Sequence, residues 1–156
     1  MTRPEPSPLA RALGRVPSGL YIVSCHLEGR PAGFLASFLV QCGFEPPTIV
    51  VALGKDRPHL AALRPGALFG VSILDAASRG LMAPFLKSDD PFAGLAAANG
   101  PGGSLHLVEA LAWLECRARA TCDAGDHVLV VATAEAGGLL REGDPLSHLR
   151  KNGLSY

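Results

Sequence analysis

Residues 33–47 read GFLASFLVQCGFEPP, an apolar stretch that ends in two prolines. Its first part, Gly33–Val40, predicts a β-strand that returns from a hairpin. The outgoing strand is the compact β-like run Leu20–Cys25, and the segment His26–Ala32, which contains Gly29 and Pro31, has the composition of the turn. This stretch therefore predicts that the chain begins its fold as an antiparallel sheet.

Further strands follow towards the C-terminus. Thr48–Leu53 is β-branched and continuous, which predicts a strand buried on both faces. Leu68–Leu74 is a similar run. Leu111–Cys122 alternates between apolar and polar residues and predicts a strand with one wet face. The inward set would be Leu114, Cys116, Ala118 and Ala120, and the outward set Glu115, Arg117, Arg119 and Thr121. After the turn 123–126, the run His127–Glu135 completes a long hairpin.

Helices are expected to be few and short, at Pro8–Leu13, Pro58–Leu63 and Ala76–Leu86. The segment Ser88–Ser104 is rich in Gly, Ala, Asp and Pro and predicts a mobile surface loop. With no internal repeat or linker, we expect an N-terminal arm (1–12) and a single domain (13–156). About six strands favour a mainly β fold, a closed barrel, over a βαβ fold.

Composition excludes several classes of function. The chain has 156 residues, of which 48% are hydrophobic and 18% charged, so it is folded and not disordered. Its 14 basic and 14 acidic residues balance, which gives no electrostatic basis for binding nucleic acid or an anionic membrane. The polar N-terminus is no secretory signal, and no apolar stretch approaches the ~20 residues of a membrane span. We expect a cytoplasmic protein.

Metal and dinucleotide motifs are absent from the sequence. The four cysteines form no CxxC pair and the five histidines have no HExxH-type spacing, so no metal site is predicted. The cysteines are expected to be reduced and buried as small hydrophobes. The sequence also lacks GxGxxG, which argues against a Rossmann site.

Five ordered blocks carry a resemblance to a known family. They are Gly14–Leu20, Gly33–Pro47, Phe69–Leu74 with Phe85, Leu114–Cys116 with Gly125–His127, and Pro145–Gly153. In their order and spacing they resemble the flavin reductase-like family, whose fold is an FMN-binding split β-barrel with a few short flanking helices. The second and last blocks look most similar to the reductase-like domain fused to some flavodiiron proteins, although here the domain is expected to stand alone.

The resemblance implies a homodimer with one FMN per subunit near the interface, and often reduction of the flavin by NADH or NADPH. FAD in place of FMN stays open. It also implies that residues around the second block contact the flavin ring, at Leu35, Ala36, Ser37, Phe38, Gln41 and Cys42. Ser72, in the third block, joins this cofactor-binding set. On the alternative interpretation, Ser37 only fills a tight strand crossing and Gln41 faces solvent.

The sequence departs from the family pattern at two places in the second block. Many relatives have Thr at the position of Leu35 and Ser at that of Val40 or Gly43. Fewer hydroxyls predict either more binding through the backbone or weaker retention of flavin.

Charged residues suggest the remaining parts of the site. Lys55 and Arg57 precede the helix at Pro58 and could bind the FMN phosphate, or they could form an ordinary solvated turn. His127 follows Gly125-Asp126, where a family histidine lies near the flavin and the nicotinamide. It could position the nicotinamide or simply cap its strand. Arg150 and Lys151 could reach the phosphate or the partner subunit. Trp113 is expected in the core.

Three functions remain open on this sequence. The first is an NAD(P)H-dependent flavin reductase, which could supply reduced flavin to a separate monooxygenase. The second is an FMN electron carrier that takes electrons from a protein partner and has no nicotinamide site. The third is a barrel without flavin that serves as a dimerisation or ligand-binding module.

Overall fold

The computed structural model describes residues 5–155, so 1–4 of the predicted N-terminal arm and residue 156 lie outside the described part. Strands dominate it. They are β1 (Tyr21–Leu27), β2 (Arg30–Ala36), β3 (Leu39–Phe44), β4 (Pro47–Gly54), β5 (Leu68–Ile73), β6 (Ala97–Asn99), β7 (Leu105–Leu107), β8 (Ala112–Ala124) and β9 (His127–Leu139). The helical segments are α1 (Pro8–Leu13), α2 (Met82–Lys87) and the 3-10 turns Pro58–Leu63 and Arg79–Leu81.

Seven strands form one antiparallel sheet in the order β2-β1-β5-β8-β9-β4-β3, and β6 pairs with β7. The two edge strands, β2 and β3, are joined by Ser37 and Phe38 alone. Three peptide units span at most about 11 Å, so the sheet must curl until its edges meet at this crossing. The Phe38 carbonyl accepts a hydrogen bond from the Ala52 N–H at 2.8 Å, which fixes the crossing to β4. The predicted mainly β fold is confirmed.

The crossing corrects the expectation of one strand over Gly33–Val40. β2 ends at Ala36 and β3 begins at Leu39, because the chain leaves one edge of the sheet there and joins the other. The prediction that the strand at Thr48–Leu53 is buried on both faces is also wrong. In β4, burial alternates: Ile49, Val51 and Leu53 are buried, while the residues between them are only partly covered.

The main core lies inside the curled sheet. Its fully buried members come mainly from the strands and include Val23 (β1), Val51 (β4), Phe69 and Val71 (β5) and Val130 (β9). Burying each such side chain contributes about 1.5–3 kcal/mol. A second cluster lies outside β1 and beneath α2 and β7, with Ile22, Leu74, Leu81 and Leu107 among its members.

The alternation predicted for β8 holds only in part. Cys116 and Ala118 enter the core, but Ala120 is exposed because the register shifts between Ala118 and Ala120. Glu115, expected on the wet face, is 3% exposed. Its carboxylate accepts hydrogen bonds from the Gly102 N–H (2.7 Å) and from the Ser104 N–H (3.0 Å) and hydroxyl (2.7 Å). Burial raises the pKa of Glu115, but these bonds outweigh it and the pKa lies below its ordinary value.

The same hydrogen bonds explain why Ser88–Ser104 is not one long loop. Residues Ala97–Asn99 form β6 against β7, and Ser104 is buried beside the Glu115 carboxylate. The helix predicted at Ala76–Leu86 is likewise displaced. Ser78 bonds the Asp75 carboxylate through its N–H (2.9 Å) and its hydroxyl (2.6 Å), and this turn delays the first helical residue to Arg79.

All four cysteines are free, but only two match their predicted burial. Cys25 and Cys116 are buried, and burial raises the pKa of the Cys116 thiol to about 12. Cys42 and Cys122 are exposed, which corrects the expectation for both. Cys42 lies at an irregularity of the edge strand β3, and Cys122 lies beyond the bulge in β8, where the strand has left the core.

Candidate functional site

A pocket of about 690 Å³ opens at the point where the sheet edges meet. Three parts of the chain form its walls: the segment before β1, the crossing with the start of β3, and the C-terminal tail after β9. The lining residues are Val16, Pro17, Ser18, Gly19, Tyr21, Ser37, Phe38, Leu39, Val40, Gln41, Val50, Ala52, Leu129, Pro145, Leu146, Ser147 and Arg150.

One wall of the pocket is apolar because of strand alternation. Val50 and Ala52 project from β4 on the side opposite its buried residues. Leu129 is paired with Ala52 across β4 and β9 and therefore shares that side. A smooth hydrocarbon surface of this kind suits the face of a flat aromatic ring.

The opposite wall is the C-terminal tail, which backbone hydrogen bonds hold in place. The Leu146 N–H donates to the Leu74 carbonyl at 2.8 Å, and the N–H of His148 donates to Ser18 at 2.6 Å. Further along, the Arg150 N–H donates to the Gly14 carbonyl at 3.2 Å. The tail thus carries Arg150 to the pocket from the far end of the chain.

Arg150, Phe38 and His127 form a stack at the crossing. The guanidinium carbon of Arg150 lies 4.3 Å from the Phe38 ring centroid, within the range of a cation–π contact. The imidazole of His127 meets the same ring nearly edge-on, with centroids 5.7 Å apart. His127 Nδ1 in turn lies 2.8 Å from Asp126 Oδ1, which holds the pKa of Asp126 below its ordinary value.

Two buried polar atoms of the pocket have no hydrogen-bond partner in the described chain. They are the Ser18 hydroxyl oxygen and Arg150 Nη1. Burying a polar atom without a hydrogen-bond partner costs free energy. These two atoms therefore indicate that a polar group of a ligand forms hydrogen bonds with them. Tyr21 adds a phenol, whose pKa burial raises, so it keeps its proton and can donate a hydrogen bond.

Four of the residues predicted from the sequence line the pocket: Ser37, Phe38, Gln41 and Arg150. His127 reaches the site through its contact with the Phe38 ring. Gln41 is exposed and its side-chain amide donates to the Gly43 carbonyl at 3.2 Å.

The other predicted residues lie outside this lining. Leu35 packs against the second cluster, Ala36 is buried in the main core, and Cys42 is exposed on β3. Ser72 is fully buried and its hydroxyl accepts a hydrogen bond from the Leu107 N–H at 2.9 Å. Their roles towards a cofactor stay predictions.

Lys55 and Arg57 follow β4 and also lie outside the lining. The Lys55 ammonium pairs with the Asp123 carboxylate, which lowers the pKa of Asp123. The Lys55 N–H donates to the Asp126 carbonyl at 2.9 Å, so this turn is joined to the one that carries His127. Arg57 is exposed at the start of the 3-10 turn.

Sequence reasoning missed the wall formed by Val16–Gly19, Tyr21 and Pro145–Ser147. The first and last family-like blocks contain all of these residues except Tyr21. However, nothing in the linear pattern shows that the two ends of the chain meet, and the paired bridge between Ser18 and His148 is what brings them together.

Residues 5–155 contain no group of three or more His, Cys, Asp or Glu side chains placed to hold a metal ion. In that same part of the chain, no helix has the length and apolarity that crossing a bilayer requires.

The pocket fits an isoalloxazine ring. Its apolar wall can cover the face of the ring, while Ser18, Tyr21 and Arg150 offer donors to its oxygen and nitrogen edge. A curled antiparallel sheet with this pocket at its joined edges defines the class of split-barrel flavoproteins. Residues 13–153 match the family described as flavin reductase like domain, so the chain belongs to the flavin reductase-like family. The family predicted from the sequence blocks is confirmed.

Relatives and solved structures agree with this assignment. Diflavin flavoprotein A 1 of Synechocystis sp. is 35% identical over 96% of this chain, which spans about a quarter of the length of such curated relatives. The structure of nitrilotriacetate monooxygenase component B from Mycobacterium thermoresistibile has a TM-score of 0.84 and 26% identity, covering 92% of this chain and 82% of that one. The styrene monooxygenase flavin reductase of Pseudomonas putida S12 has a TM-score of 0.79 and 28% identity, covering 92% and 93%.

Proposed function

We propose that this protein binds FMN in the pocket at the crossing and reduces it with hydride from NADH or NADPH. The observation that carries the proposal is that two buried donors, Ser18 Oγ and Arg150 Nη1, have no hydrogen-bond partner within residues 5–155 and lie in a pocket with an apolar wall. A polar-edged flat ring satisfies both requirements, and membership in the family supports flavin as that ring.

Bound flavin would supply the capacity to accept a hydride, and the residues of this chain would bind and orient the reactants. The Arg150 guanidinium and the Ser18 hydroxyl would donate to the oxygen edge of the ring, where negative charge gathers on reduction. The wall of Val50, Ala52 and Leu129 would keep water from its face. Holding two rings in register can itself lower the barrier by several kcal/mol.

His127 would position the nicotinamide. Its Nδ1 lies 2.8 Å from Asp126 Oδ1, and the other ring nitrogen would contact the carboxamide of the nucleotide. Lys55 and Arg57, close to the His127 turn in the sheet, are the proposed partners of the FMN phosphate.

We further propose that the protein acts as a homodimer through the edge strand β3. Val40 is 58% exposed and Phe44 86% exposed on this strand. A Phe44→Asp variant should be monomeric in light scattering after gel filtration, whereas Leu86→Asp, at another exposed apolar residue on α2, should not change the mass. A wild-type protein that is already monomeric would contradict the dimer.

The electron carrier without a nicotinamide site remains the second candidate. It is favoured by the curated relatives, which are diflavin flavoproteins about four times longer than this chain. In such an arrangement the electrons would come from another protein or domain, and a separate monooxygenase or electron-transfer protein would receive them.

One experiment separates these functions. The purified protein is incubated with FMN, desalted, and scanned for flavin bands near ~370 and ~450 nm. The loaded protein is then mixed anaerobically with NADH or NADPH, and loss of the ~450 nm band is followed by stopped flow. Rapid bleaching supports the reductase. Bound flavin that dithionite bleaches but both nucleotides leave oxidised supports the carrier, and a colourless protein overturns both.

A further inference from the structure

A second groove, of about 660 Å³, lies between α1 and the C-terminal tail. The described residues that line it are Glu5, Pro6, Arg11, Ala12, Arg15 and Lys151. Three of these six side chains are cationic and one is acidic. In a chain whose formal net charge is zero, this groove is a local concentration of positive charge.

The cations of the groove are available to a ligand. Within residues 5–155, none of the ion pairs involves Arg11, Arg15 or Lys151. Arg11 and Lys151 are exposed, and Arg15 uses one nitrogen, Nη2, to donate to the Arg150 carbonyl at 2.7 Å. Guanidinium and ammonium groups that line one concavity are the usual partners of phosphate oxygens.

The groove and the pocket are lined by neighbouring residues of the same two segments. Arg15 lines the groove and the next residue, Val16, lines the pocket. On the tail, Arg150 lines the pocket and Lys151 lines the groove. The hydrogen bond from Arg15 to Arg150 joins these two pairs, so the pocket and groove share a wall.

This arrangement matches the two ends of a dinucleotide. Such a molecule has a flat redox ring at one end and an adenosine phosphate at the other, and only the ring end suits an apolar wall. We propose that the groove binds the adenosine phosphate half of a dinucleotide whose redox ring lies in or against the flavin pocket. The inference rests on the proposed function for the place of the ring. It adds a phosphate site distinct from Lys55 and Arg57.

ADP alone is the direct probe, because it carries the adenosine phosphate without a redox ring. Its binding to the flavin-free full chain is measured by ligand-observed NMR. The double variant Arg11→Glu/Lys151→Glu should weaken ADP binding about tenfold or more, since it replaces two charged contacts with repulsion. The double variant Arg11→Gln/Lys151→Gln, which removes the two charges without reversing them, should weaken ADP binding less than the glutamate variant does. Arg30→Glu/Arg79→Glu, a matched change at exposed cations outside both linings, should leave it within about twofold.

Two further titrations identify the source of the adenosine phosphate. If it belongs to FAD, the groove variant should lose affinity for FAD while its affinity for FMN stays within about twofold. If it belongs to the nicotinamide nucleotide, the KM for NADH or NADPH should rise about tenfold with FMN binding unchanged. Either result supports the groove.

The proposal is overturned if wild-type protein does not bind ADP, or if the groove variants bind it as tightly as the matched control. It is equally overturned if neither FAD affinity nor the nucleotide KM changes. Failure of the proposed function gives a different result. The protein would then take up no FMN, while ADP binding would still depend on Arg11 and Lys151.

Discussion

The guanidinium of Arg150 lies over the ring of Phe38, with 4.3 Å between its central carbon and the ring centroid. Phe38 belongs to the two-residue crossing between β2 and β3, and Arg150 to the C-terminal tail. This contact therefore fixes the two walls of the pocket relative to each other. Arg150 Nη1 is buried there and has no hydrogen-bond partner among residues 5–155.

Replacing Arg150 should weaken flavin binding. Arg150→Met keeps an unbranched apolar stem but removes the charge and the donors, so we expect the Kd for FMN to rise about tenfold. Fluorescence quenching of FMN on binding measures it. Arg30→Met, an exposed arginine in the β1–β2 hairpin, serves as control. Equal affinities of the Arg150 and Arg30 variants would show that Arg150 does not contact the flavin.

A larger residue at Gly153, in the C-terminal tail, should also weaken flavin binding, although Gly153 is not among the residues that line the pocket. A Cβ on Gly153 would overlap Leu13, whose carbonyl carbon would be 2.6 Å away, while a Cβ on Gly80 would meet nothing within 4 Å. Gly153→Ala should cost about 1–3 kcal/mol, divided between a lower free energy of unfolding and weaker FMN binding. Urea unfolding and FMN titration measure the two parts. Gly80→Ala is the control, and a Gly153 variant indistinguishable from it would refute the close approach.

Asp126 should act as a positioning residue for His127. Asp126→Asn weakens the partner of Nδ1, so we expect the rate of flavin reduction by NADH or NADPH to fall about tenfold, with FMN affinity unchanged. Asp126→Glu should restore part of the rate. Asp89→Asn, at another exposed aspartate, should match the wild type in stopped flow. If the Asp126→Asn variant reduces flavin as fast as the wild type, the orientation of His127 does not limit the rate of flavin reduction.

Stability should fall in acid partly through Asp75. Arg141 bonds both oxygens of this buried carboxylate, at 2.5 and 3.0 Å, and with Ser78 it holds the pKa of Asp75 well below its usual range. A lowered pKa in the folded state means that the ionised form stabilises the fold. That contribution is complete above the unfolded pKa of about 3.9 and is lost as the pH falls below it.

The variant Asp75→Asn should therefore be less stable than the wild type at neutral pH, and the difference should shrink below about pH 4. Urea unfolding at a series of pH values gives both curves. Glu115, whose pKa is also lowered, contributes equally to the stability of the wild type and of the variant. Its contribution therefore cancels when the two free energies of unfolding are subtracted. If the difference in the free energy of unfolding between wild type and variant stays constant down to about pH 2, the ionised Asp75 carboxylate is not the cause of that difference.

Local patterns were enough to predict much of this fold. The hairpin of β1 and β2 and that of β8 and β9 follow from apolar runs interrupted by turn residues, since both elements are close in the chain. The family-like blocks predicted the family, and they named Ser37, Phe38, Gln41 and Arg150, which the structure brings to the lining of one pocket. These successes depend on signals contained in short windows.

The errors arise where distant segments meet. Glu115 is charged and sits on the outward side of its strand, but backbone N–H groups of Gly102 and Ser104 cover it, and no local pattern encodes that contact. Ser18 and Tyr21 line the pocket because the tail bridges to Ser18. The strand break at Ser37 comes from closing the whole sheet, which a window of neighbouring residues does not contain.

The two-residue crossing limits how this site can vary. An insertion between Ala36 and Leu39 would release one edge of the sheet from the other, and a deletion would pull both strands out of register, so the floor of the pocket has a fixed size. The N-terminal helix and the C-terminal tail, by contrast, lie outside the seven-stranded sheet and are held to it by backbone hydrogen bonds such as that from the Leu146 N–H to the Leu74 carbonyl. A change in the length or charge of these two segments would therefore alter the rim of the pocket while leaving its floor the same size.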